Sequence, residues 1–116
     1  MKTKVYQAHD WVEEFPGAVT VCDMDGIILE MNERAKATFS KDGPLIGKNL
    51  QDCHHPAANQ KIDALLASGE KNIYTIEKNG IHKLIYQVPW YQGGKRMGLV
   101  EASLEIPEKM PHFKRG

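Results

Sequence analysis

The run from Ala18 to Phe39 constrains this chain more than any other segment. Val19 and Val21 alternate with Ala18, Thr20 and Cys22, and Ile27, Leu29 and Met31 alternate with Ile28 and Glu30. Period-two alternation puts successive side chains on opposite faces of a strand. Between the two runs stands Asp25-Gly26. Asp-Gly in that position is a hairpin signal, because glycine accepts the positive φ of a tight turn. Asn32 follows and can cap a short helix through its side-chain oxygen. In that helix Ala35, Thr38 and Phe39 share one side, while Glu33, Arg34 and Lys36 face water.

The rest of the chain extends the pattern. Asp10 is placed to cap a helix, with Glu13 three residues on as in a capping box. Trp11 and Phe15, four apart, share its face, and Pro16-Gly17 ends it. Leu45 to Leu50 leads into a short helical turn at Leu50 to Cys53. Pro56 suits the first position of the next helix. Ala58, Ile62, Leu65 and Leu66 give that helix one apolar stripe, and Gly69 stops it. Strands are predicted over Asn72–Lys78, Ile81–Val88 and Met97–Ile106, joined by turns at Asn79-Gly80 and Gln92–Lys95, with Pro89 ending its strand or lying at an edge. The sum is an α+β fold: a five-stranded antiparallel sheet with the middle helices on one face.

Several function classes lose support at once. A chain of 116 residues makes one core. Lys+Arg and Asp+Glu number 15 each, so no net charge favours nucleic acid or an anionic membrane. The N-terminus lacks the apolar core of a signal peptide, and no run is long enough to span a bilayer. Two cysteines, Cys22 and Cys53, suit a reducing compartment, and the expected location is cytoplasmic. Cys22, inside a strand, reads as a small buried hydrophobe.

Asp23-Met24-Asp25-Gly26-Ile27-Ile28, then Asn32-Glu33-Arg34-Ala35 and Phe39, then Leu45-Ile46-Gly47-Lys48-Asn49-Leu50, the Asn79-Gly80 hairpin and Gly98-Leu99-Val100 resemble, in that order, the PAS family of sensory domains. The resemblance covers about residues 17–106, with 1–16 as an N-terminal helical cap and 107–116 as a loose polar tail. It implies strand order 2-1-5-4-3 and a pocket that in the family holds haem, flavin, a carboxylate metabolite, a lipid-like molecule or nothing. It implies a sensor or dimerisation module of the kind usually joined to a kinase, cyclase or transcription factor, so this chain is expected either to signal by binding a separate signalling protein or to be an excised module.

Cys53-His54-His55-Pro56 is the one stretch with metal-ligand chemistry. The resemblance adds that in some haem-binding members an axial histidine lies near the helix that Pro56 opens here, so haem on His54 or His55 is an alternative reading. Neighbouring residues point in different directions, and no paired ligands stand elsewhere. The sequence around Cys53 lacks the motif of the flavin photosensors. Asp23 and Asp25 read as turn residues, and Glu77 and His82 as a cross-strand pair. No phosphate loop or nucleophile elbow is present, so catalysis is not expected. The expected pocket residues are Met31, His54, Ile62, Leu66, Tyr86 and Val100. Ile73, Thr75, Leu84, Tyr86 and Val88 share one strand face, and Tyr74, Ile76 and Ile85 the other. With both faces apolar, and Trp90 and Tyr91 adding aromatic surface near Tyr86, either the N-terminal helix or a second copy is expected to cover the sheet. A homodimer through sheet and helix follows as an expectation, with a purely structural dimerisation module as the rival.

Overall fold

The computed structural model describes residues 8–39, 43–53 and 56–116. The elements are α1 (Asp10–Glu13), β1 (Ala18–Asp23), β2 (Ile28–Met31), α2 (Glu33–Thr38), a 3₁₀ turn (Leu50–Cys53), α3 (Pro56–Ser68), β3 (Asn72–Lys78), β4 (Ile81–Gln92) and β5 (Lys95–Ile106). The five strands form one sheet in the order β2-β1-β5-β4-β3, and every adjacent pair is antiparallel. Fold class and strand order are those expected.

Local chemistry explains the hairpins. Asn79 and Gly80 both have positive φ (53° and 78°), and Lys78 pairs with Ile81 across them. Gly93 and Gly94 (56° and 80°) do the same between Gln92 and Lys95. Both are two-residue turns of the primed kind, whose twist matches the strands. The first hairpin differs from the expected Asp25-Gly26 turn. Asp23 N–H donates to the Ile27 carbonyl at 2.9 Å, enclosing Met24, Asp25 and Gly26 in a three-residue loop. The Asp23 carboxylate accepts from the backbone N–H of Asp25 and of Ile27, both at 2.9 Å, which holds the wider loop closed.

The helix starts are partly as expected. Asn32 caps α2 by accepting from Ala35 N–H at 3.1 Å. Asp10 is not a cap: it lies inside α1, where His9 holds the cap position without a side-chain bond. The expected ring pair is present, Trp11 against Phe15 at 6.0 Å between centroids, edge to face. β4 runs on through Pro89. At that point β3 has ended, so the missing N–H of Pro89 interrupts no ladder on that side.

The core lies on one side of the sheet. Cys22, Ile28, Met31 and Leu99 pack with Ala35 of α2, Leu45 and Leu50 of the connecting segment, and Ile62, Leu65 and Leu66 of α3. Arg96 of β5 donates to the Ala67 carbonyl at 3.0 Å and so terminates α3 with a cation where the helix dipole favours one. On the other side stand Val19, Val21, Leu84, Tyr86, Val88, Val100, Ala102 and Leu104, half-buried or exposed. The more apolar face of the sheet is therefore turned away from α2 and α3. Trp11 stays 69% exposed. The segment 107–116 carries no helix or strand.

Candidate functional site

The inner face carries a partly buried polar chain. Asn72 on β3 stands opposite Gln87 on β4, and Gln87 opposite Glu101 on β5. Asn72 Nδ2 donates to Gln87 Oε1 at 2.7 Å, and Gln87 Nε2 donates to Glu101 Oε2 at 2.8 Å. Gln87 is buried, at 6% exposure, so its amide must find partners within the protein. An ionised carboxylate only accepts, which turns the Gln87 amide nitrogen toward Glu101 and its oxygen toward Asn72.

Above this chain sits α3. Ala58, Lys61 and Ile62 close a cavity of about 300 Å³ over Asn72, Tyr74, Gln87 and Glu101. Tyr74 and Glu101 also line a second hollow of about 230 Å³, which reaches toward α2 at Thr38 and Phe39 and ends near Lys78 and Lys83. Phe39 in turn borders an apolar hollow of about 400 Å³ formed with Met31, Pro44, Leu45 and Ile46. Neighbouring hollows thus share lining residues along the inner face. The Tyr74 phenol is pushed above its ordinary value, first by burial and then by the nearby Glu101 charge, so it stays a neutral hydroxyl at physiological pH. Burial likewise raises the Cys22 thiol, with smaller contributions from Asp23 and Glu101 and an opposing one from the Leu99 backbone.

The expected pocket residues divide. Met31, 5% exposed, lines the apolar hollow. Ile62, 2% exposed, lines the polar cavity, and Leu66, 8% exposed, belongs to the core beside it. Tyr86 and Val100 are corrected. Tyr86 faces Ala102, which faces Val19, and Val100 lies between Val21 and Val88. Strand alternation puts all of these on the side opposite Thr20, Ile85, Gln87 and Glu101, so Tyr86 and Val100 do not line the helix-side enclosure. His54 and His55, and with them the haem reading, lie outside the described residues. Among the described residues no group of three or more His, Cys, Asp or Glu is placed to hold a metal ion. His82 Nε2 lies 3.4 Å from Glu77 Oε1, the expected cross-strand pair.

Lys61, Asn72, Tyr74, Gln87 and Glu101 were not expected at a site. Half of the signal is legible. A two-residue Asn79-Gly80 turn places Asn72 opposite Gln87. The other half is hidden by a bulge between Trp90 and Tyr91. Without it the Gly93-Gly94 turn would set Gln87 against Val100; the extra residue sets it against Glu101.

No family model and no curated protein matches the sequence. Solved structures do. A C-terminal domain from Streptococcus mutans is 22% identical over 85% of this chain and 82% of its own, with a TM-score of 0.69. The PAS domain of BvgS from Bordetella pertussis is 20% identical, covering 84% and 82%, at 0.62. The Aer2 receptor of Vibrio cholerae, described as a dual PAS-haem oxygen sensor, is 16% identical, covering 78% and 95%, at 0.59. Among the described residues no helix is long and apolar enough to cross a membrane. With the strand order β2-β1-β5-β4-β3 and α2 and α3 packed on one face, these likenesses identify the fold: the chain folds as a PAS domain.

Proposed function

We propose that this chain is a non-catalytic sensory domain that admits a small molecule between α3 and the inner face of the sheet. The observation that carries the reading is the cavity of about 300 Å³ floored by Asn72, Gln87 and Glu101. The two amides and the carboxylate of the floor, under Ala58, Lys61 and Ile62, are the placed polar groups by which a pocket fixes the orientation of a ligand. Sensing is also the role of the Aer2 receptor, whose fold this chain shares.

Occupancy acts by population shift. β5 carries Glu101 toward the cavity and its neighbours Val100 and Ala102 toward the outer face. A ligand that changes the placement of β5 therefore changes the surface on the far side. That outer face, with Val21, Tyr86, Val88, Val100 and Ala102, docks a second copy of the chain. Its apolar area faces neither α2 nor α3, and contiguous apolar patches of this kind mark interaction sites.

Native mass spectrometry of freshly purified protein tests both parts. A retained small molecule, lost in Ala58→Trp, supports the pocket. A dimer that becomes monomeric in Val88→Glu supports the outer-face contact. A protein that carries nothing and whose dimer ignores Ala58→Trp is a structural module, and the sensory reading ends there.

A further inference from the structure

Resting on that sensory reading, we propose that the cavity under α3 takes a small zwitterion of the α-amino-acid type, with its ammonium at Glu101 and Asn72 and its carboxylate toward Lys61.

The lining sets the charge of the occupant. Among Ala58, Lys61, Ile62, Asn72, Tyr74, Gln87 and Glu101 there is one cation and one anion. Among the described residues neither Lys61 nor Glu101 belongs to an ion pair. A purely anionic guest leaves the half-buried Glu101 carboxylate unmatched, at a desolvation cost, and a purely cationic guest makes no use of the exposed Lys61 ammonium at the rim. A guest with both charges satisfies both.

The floor sets its orientation. Glu101 uses Oε2 for Gln87, and Asn72 uses Nδ2 for the same side chain. Because Glu101 fixes the direction of the chain, the groups left over at its two ends are acceptors: Glu101 Oε1 and Asn72 Oδ1. An ammonium group brings three donors and no acceptor, which matches that pair, and its bond to Glu101 is charge-assisted. The cavity volume lies at the lower end for ligand pockets and suits a molecule of amino-acid size rather than a nucleotide or haem. Tyr74, kept as a neutral phenol, supplies a hydroxyl and a ring wall without adding charge.

The test compares the proteinogenic L-amino acids with two truncated sets, N-acetyl amino acids and the matching primary amines, by thermal shift and then calorimetry on the full chain. At least one amino acid is expected to raise Tm, with both truncated forms about tenfold weaker or worse. Glu101→Gln is expected to weaken binding by a similar factor while Glu77→Gln, on the outer face, leaves it unchanged; circular dichroism verifies that both variants fold. Absence of binding at millimolar concentration, equal binding of the truncated forms, or wild-type affinity in Glu101→Gln overturns the zwitterion. Native mass spectrometry separates the two levels. A retained molecule of another class, lost in Ala58→Trp, ends the zwitterion and leaves the sensory reading standing, whereas a protein that retains nothing and binds nothing ends both.

Discussion

The indole N–H of Trp90 donates to the backbone carbonyl of Cys22 at 2.9 Å, reaching from β4 to β1 over the glycine at position 98. Gly98 stands opposite Trp90 on one side and Asp23 on the other. A methyl group there would run into the Cys22 carbonyl oxygen and lie 2.8 Å from Asp23 Cα. The missing side chain is thus what lets β5 approach the β1 backbone this closely, next to the carbonyl that the indole bonds.

Gly98→Ala is expected to destabilise by about 2–4 kcal/mol, since the obstruction is backbone and cannot swing aside. Trp90→Phe is expected to cost about 1–2 kcal/mol by leaving the Cys22 carbonyl without its donor. Urea denaturation followed by circular dichroism measures both. Equal stability of Trp90→Phe and the parent would show the bond to be energetically idle.

Asn32 makes four bonds with one buried amide. Its Oδ1 accepts from Val19 N–H at 2.9 Å and Ala35 N–H at 3.1 Å, and its Nδ2 donates to the carbonyls of Val12 at 3.0 Å and Gly17 at 2.8 Å. Asn32→Ala is expected to cost about 3 kcal/mol, well above the roughly 1 kcal/mol of an ordinary cap. Asn32→Asp keeps the acceptor and loses both donors. It is expected to retain α2 while amide exchange speeds up around residues 12–17; unchanged exchange there would remove α1 from the Asn32 network.

Alkaline pH is expected to weaken the fold in two steps. The Cys22 thiol is raised above 9.0 and the Tyr74 phenol above 10.0 in the folded chain. The unfolded chain then loses these protons first, so stability is intact below pH 9 and falls as pH rises past each unfolded value. Tyr74 is 42% exposed, so its share is the smaller. Urea midpoints between pH 8 and pH 11 measure the fall, and Cys22→Ala is expected to remove its first part.

Arg96 donates to the end of α3 through the Ala67 carbonyl at 3.0 Å, beside the Gly69 N–H on the Leu65 carbonyl. Arg96→Met keeps the stem and removes the cation. About 1 kcal/mol is expected to go, with the last turn of α3 exchanging faster than its middle. Uniform exchange along α3 would contradict this.

How much was legible in the chain depended on the range of the signal. The Asn79-Gly80 and Gly93-Gly94 turns, the Asn32 cap and the Ile62–Leu65–Leu66 stripe are set by residues within a few positions of each other, and each stands where the pattern places it. The first hairpin departs because Asp23 turns its carboxylate onto two backbone N–H groups and widens the loop, an option that the Asp25-Gly26 signal does not contain.

Alternation in β1, β4 and β5 told that two faces exist without telling which one the helices cover. Counting apolar residues would choose Val21, Tyr86, Val88 and Val100; the helices cover Thr20, Ile85, Gln87 and Leu99 instead. Strand periodicity is symmetric between faces, so that choice belongs to the packing of α3 and α2 against Cys22 and Leu99. The same holds for the polar floor. Asn72, Gln87 and Glu101 are far apart in the chain, and one bulged residue, Met97 opposite the Trp90–Tyr91 step, decides that Gln87 meets a carboxylate rather than a valine. Local backbone chemistry suffices for turns, caps and strands, whereas face and register are properties of several strands at once and exist only when the sheet has closed.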